Sequence, residues 1–118
     1  MNILHLVILL AGIESGWNPK PPPGDGGKAI GILQIHKIMV REVNRTTAPG
    51  RFTYADRRDV IKSHAMAMAF LIHQKKRYEK KHGRSPSKSE LMRSWNSGSI
   101  FKPCTKDYRC KVRAALNN

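Results

Sequence analysis

Apolar positions recur at helical spacing over most of this chain. Near the amino end Leu6, Leu10 and Glu14 fall at steps of four, with Ile3, Val7 and Ile13 beside them. That spacing predicts a helix over about 2–15 and puts Glu14 on or beside its apolar face, at the carboxyl end. Gly16 and Pro19 stop it. The proline- and glycine-rich stretch 19–27 reads as a loop, and about Asp25-Gly26-Gly27 the segment 24–33 is expected to be either a short irregular β-hairpin or a loop. A second helix is expected over 35–45, with Ile35, Ile38, Met39 and Val43 apolar, followed by a loop at 46–54 containing Pro49-Gly50.

The longest helix is expected over about 56–82. A capping box at Thr53-Tyr54-Ala55-Asp56 opens it, and Gly83 closes it. Its apolar stripe is Ile61, Ala65, Met68 and Ile72, joined by Ala69 and Leu71. A second box, Ser87 to Glu90, opens a helix carrying Leu91, Met92 and Trp95, and a last helix follows Pro103 at about 106–116. The fold class is mainly α, with about five helices. At 118 residues the chain is one domain, 1–118, able to bury a core without disulfides or structural metal.

Composition narrows the class. The chain is 40% hydrophobic and 25% charged, which suits a globular domain and excludes collagen, a long coiled coil and a multi-spanning membrane protein. The apolar run Ile3–Ile13 is too short to span a bilayer and lacks the positive flank of a signal peptide, so no leader is expected. Cys104 and Cys110 have the wrong spacing for a CxxC site; they either close one small loop or stay reduced. His5, His36, His64, His73 and His82 form no metal-binding pattern, so no metal and no cofactor are expected.

Charge then enters. Lys plus Arg number 22 and Asp plus Glu 8, a net of +14. Residues 1–33 are neutral, with Lys20 and Lys28 against Glu14 and Asp25, so 34–118 carry the whole excess. The densest run is Lys75, Lys76, Arg77, Lys80 and Lys81. It reads either as a solvated helix face or as an adhesion surface for nucleic acid, an anionic membrane or an anionic wall polymer.

Glu14 is the one acid of the eight that follows a long apolar run. Desolvation there disfavours the carboxylate and raises its pKa. A carboxyl group still protonated near neutral pH can act as a general acid, which glycoside cleavage requires because the leaving oxygen must be protonated. The bland alternative is a solvated acid at a helix end.

Three short motifs fall in order: Glu14-Ser15-Gly16-Trp17-Asn18-Pro19, Gly31-Ile32-Leu33-Gln34 and Trp95-Asn96-Ser97-Gly98. Their order resembles the lysozyme-like superfamily, specifically soluble lytic transglycosylase-like domains and small phage-type lysozymes, over about 3–116. The stretch Asp56 to Leu71 looks like the central helix of such domains. The resemblance implies Glu14 as general acid and Ser15 as a group orienting its carboxyl or the substrate. It implies Gln34 and Asn96 as sugar ligands and Trp95 as a stacking or cleft-wall residue. The family more often has Tyr where Trp95 stands, which puts a tyrosine contact to Glu14 in question.

Asp25 has two readings. It is a second catalytic carboxylate, as in some small lysozymes, or only a turn residue. Trp17, Tyr54 and Tyr78 are further stacking candidates, each also explicable as structure.

The resemblance implies peptidoglycan as substrate, cut at the β-1,4 bond between N-acetylmuramic acid and N-acetylglucosamine by hydrolysis or transglycosylation. A monomer acting at the bacterial wall, phage-encoded and made in the host cytoplasm, is the matching expectation. The neutral first segment would keep Glu14 protonated while the basic remainder draws the protein to the wall. The competing readings are a cationic helical module for nucleic acid or membrane, and a lysozyme-like domain that binds wall without cutting it.

Overall fold

The computed structural model describes residues 1–47 and 51–117; the predicted Pro49-Gly50 turn lies outside the described residues. Five α-helices are present among them: α1 (Ile3–Ser15), α2 (Lys37–Thr46), α3 (Val60–His82), α4 (Lys88–Ser97) and α5 (Lys106–Asn117). The mainly α expectation holds, and so does each expected helix. None of these helices is long and apolar enough to cross a membrane.

α1 is held at both ends by local chemistry. The Asn2 side chain accepts from the His5 amide at 3.2 Å, and Gly16, at φ +64°, closes the helix by donating its N–H to the Gly12 carbonyl. Its Leu6, Val7, Leu10 and Ala11 are buried and pack toward α3, α4 and α5. Full burial of one such leucine stabilises the fold by about 1.5–3 kcal/mol. Because α1 sits centrally against three helices, the position of Glu14 in its last turn is firmly set.

Of the hairpin and the loop expected near 24–33, the structure holds a form between the two. The segment forms two single antiparallel bridges, Gly24 with Ala29 and Ile30 with Ile35, around a 3-10 turn at Asp25–Gly27. Gly31 is indispensable between them. Its φ is +82°, and a Cβ there would collide with the Arg57 carbonyl.

α3 begins later than expected. The Thr53–Asp56 box does form, with the Thr53 amide on Asp56 Oδ2 at 2.9 Å, but it closes a separate 3-10 turn at Tyr54–Arg58. Asp59 has an extended backbone and itself caps α3, accepting from the Lys62 amide at 2.9 Å.

The buried face of α3 also differs from the apolar stripe. It consists of Ser63, Met66, Ala67, Phe70, Leu71, Gln74 and Tyr78, whereas Ile61 is 81% exposed. The cause is two polar residues with core tasks. Ser63 Oγ donates to the Arg57 carbonyl at 2.8 Å, and Gln74 Oε1 accepts from the Ile100 amide at 2.9 Å. In α2 the same rotation leaves Ile38 exposed, and Val40 and Val43 face the core.

Candidate active site

Glu14 occupies the last full turn of α1, half-buried where α5 crosses it. Tyr108, from α5, donates its hydroxyl to Glu14 Oε2 at 2.8 Å. Burial raises the Glu14 pKa above its ordinary 4.5; the Tyr108 hydrogen bond and then the Lys111 charge pull it back down. The Tyr108 phenol is pushed well up, first by its own burial and then by the Glu14 charge, so it remains a donor. Desolvation therefore favours the protonated form of Glu14, while two α5 groups favour its carboxylate.

This environment corrects the charge argument from sequence. The neutrality of residues 1–33 does not describe what Glu14 meets, because Lys111 is brought in from α5 and favours the ionised form. Burial is the influence that raises the Glu14 pKa there. The missing hydroxyl of Trp95 is also made good elsewhere, since Tyr108 supplies a phenol from a different helix. Sequence reading gave α5 no role in the site. The spacing of Tyr108 four residues before Val112 marks the two buried positions of α5, but not the partner of the Tyr108 hydroxyl.

Ser15 follows on the same turn. Its hydroxyl donates to the Ile32 carbonyl at 2.7 Å, which fastens the end of α1 to the Gly31–Gln34 turn. Gln34 is half-buried at φ +50°, with Nε2 donating to the Gly31 carbonyl at 3.0 Å. A Cβ on Gly24 would strike Gln34 Oε1, so glycine there leaves room for the amide.

A groove of about 630 Å³ has Gln34, Met39, Phe70, Trp95 and Asn96 in its wall, whereas Glu14, Ser15 and Tyr108 are not among its lining residues. Trp95 is buried and packs edge-on against Phe70, ring centroids 5.5 Å apart. It is thus a core residue and a groove wall together. Asn96 Oδ1 accepts from the Thr105 amide at 3.2 Å, and Thr105 Oγ1 accepts from the Tyr108 amide at 3.1 Å. These bonds tie the groove to the Tyr108–Glu14 pair. Arg77 and Lys102 are the groove's cations, and Glu42 is its acid.

Asp25 stands apart from this arrangement. Its side chain is 69% exposed and meets His36 Nε2 at 3.3 Å. Its carbonyl accepts from Lys28 within the turn. Trp17 folds back over Gly12 and donates Nε1 to the Ile8 carbonyl at 2.8 Å, Tyr78 is buried, and Tyr54 is exposed among cations. Cys104 and Cys110 are unbridged. Among the described residues no three His, Cys, Asp or Glu side chains gather as metal ligands would.

A half-buried acid ending the first helix of a mainly helical domain, joined through Tyr108, Thr105 and Asn96 to a groove walled by later motifs, is the arrangement of a lysozyme-like domain. The chain matches the model of the transglycosylase SLT domain family over residues 2–110, and it belongs to that family. Membership brings peptidoglycan as the substrate class and activity of the lytic transglycosylase type, exerted on the cell wall. No curated protein and no solved structure matches the chain.

Proposed function

We propose that this protein is a lytic transglycosylase with Glu14 as its single catalytic carboxyl group, cutting the β-1,4 bond between N-acetylmuramic acid and N-acetylglucosamine. The observation that carries the reading is the pairing of burial with the Tyr108 bond at Glu14. Burial holds the proton for delivery to the leaving oxygen. Tyr108 and Lys111 then stabilise the carboxylate left behind. The substrate's own N-acetyl group supports the developing cation at C1. The carboxylate next takes the proton from the 6-hydroxyl as that oxygen closes on C1, so Glu14 ends protonated and an anhydro ring is formed.

Gln34 and Asn96 bind sugar groups in the groove, and Trp95 gives it an apolar wall. Ser15 is a positioning residue, acting through the Ile32 carbonyl. Asp25 shapes the turn and holds His36, a role its exposure and partners favour over catalysis. Lys75, Lys76, Lys80 and Lys81, along the second half of α3, draw the protein to the anionic wall.

Clearing of purified peptidoglycan by wild type and Glu14→Gln tests the reading. Wild type is expected to clear the suspension and the variant to bind wall without releasing soluble fragments. Equal clearing by both, or wall binding without cleavage by wild type, overturns it.

A further inference from the structure

A second concavity, of about 400 Å³, opens where the 24–36 segment meets α2 and the Tyr54–Arg58 turn. Lys28, Lys37, Arg41 and Arg57 are in its wall, and no acid is. Arg57 is only 6% exposed. Its guanidinium donates to neutral carbonyls: Nε to Tyr54 at 2.8 Å, Nη1 to Ile35 at 3.1 Å and to Lys28 at 3.5 Å. Lys37 Nζ lies 5.0 Å from the centre of the Tyr54 ring and the Arg57 guanidinium 5.7 Å from it, while Arg41 Nη1 donates to the Tyr54 hydroxyl at 3.2 Å.

Three cations therefore surround one phenol, and a fourth stands close by. Among the described residues none of the four takes part in an ion pair. Asp25 is not among the lining residues, and its carboxylate lies 3.3 Å from His36 Nε2. Gathered like charges with one of them buried raise the free energy of the fold unless an anion joins them. The shape of the guanidinium fork suits a planar carboxylate.

The location says which carboxylate. His36 and Ile38 line both this concavity and the groove. A strand lying in the groove thus has its substituents within reach of the four cations. The sugar backbone of peptidoglycan is neutral apart from its muramoyl side arms, and those arms carry short peptides with free carboxylates.

We propose that the Lys28–Lys37–Arg41–Arg57 concavity receives stem-peptide carboxylates and makes the protein selective for strands whose peptides are free acids. This inference rests on the peptidoglycan-cleaving reading above. It assigns a specificity site separate from Glu14 and from the sugar-binding wall.

The test compares kcat/KM on soluble strands bearing free-acid stem peptides with the same strands after conversion of those carboxylates to methylamides. Wild type is expected to prefer the free acid by about tenfold, equivalent to ~1.4 kcal/mol, expressed in KM. Lys37→Gln/Arg41→Gln changes two exposed side chains, so folding is not at stake. It should bring the ratio close to one by raising KM for the free-acid strands. Lys88→Gln/Arg113→Gln removes the same charge from exposed positions elsewhere and should keep the wild-type ratio.

A wild-type ratio near one, a retained preference in the Lys37/Arg41 variant, or an equal fall in the Lys88/Arg113 variant would overturn the inference while leaving cleavage by Glu14 intact. Failure of wild type to cleave either strand would instead remove the cleavage reading, and the specificity site with it.

Discussion

Replacing Tyr108 by Phe removes one oxygen atom and leaves a ring that belongs to the hydrophobic core. The perturbation is therefore confined to the 2.8 Å bond on Glu14 Oε2. A hydrogen bond to a charged group contributes about 1.5–3 kcal/mol. Glu14 is half-buried, so water replaces part of the loss and the lower end applies. About 1.5 kcal/mol withdrawn from the transition state, where the carboxylate is forming, lowers kcat/KM by about tenfold.

The same substitution has a signed effect on pH dependence. The bond favours the carboxylate, so its removal raises the Glu14 pKa further above 4.5. Activity requires the protonated acid, and the alkaline limb of the kcat/KM profile moves to higher pH as the maximum falls. Release of dye from labelled peptidoglycan across the acid and neutral range measures both. An alkaline limb that stays in place, moves to lower pH, or accompanies an undiminished maximum would refute the role given to Tyr108.

Three other expectations follow from the same geometry. Because burial raises the Glu14 pKa in the folded chain, ionisation costs stability as pH rises through the unfolded value of 4.5 and the folded one above it. Glu14→Gln should then be more stable than wild type at neutral pH by about 1 kcal/mol in urea titrations, the difference disappearing in acid. Gly31→Ala places a Cβ against the Arg57 carbonyl at a φ of +82° and should destabilise the fold by about 2–4 kcal/mol, read as a lower urea midpoint. Asp25→Asn should retain activity within about twofold, against the 10²–10⁴-fold loss expected for a catalytic base, as measured by initial rates of clearing.

The parts of the site that sequence shows are those made by neighbours in the chain. Glu14 at the end of an apolar helix, Gly16 as its stop, and the box from Ser87 to Glu90 all rest on spacings of a few residues, and each forms as read. Tyr108 was invisible because its contact with Glu14 joins residues 94 positions apart. No local pattern marks such a pair. Lys111 was hidden for the same reason, which is why a neutral stretch of sequence misrepresented the field at the acid. The face of α3 was misjudged on different grounds. Ser63 and Gln74 are polar and lie outside the expected apolar stripe, yet each satisfies a backbone group inside the core, Gln74 through Oε1 while its Nε2 has no partner among the described residues. Hydropathy alone does not reveal a buried polar residue that already has its partner.

The masses of the fragments released from purified peptidoglycan test the central claim most directly. Single-carboxylate catalysis by Glu14 predicts muramoyl ends lighter by one water than reducing ends, formed by wild type and by Asp25→Asn and absent with Glu14→Gln. Reducing ends only, lost when Asp25 is replaced, would contradict it and establish hydrolysis by two carboxylates.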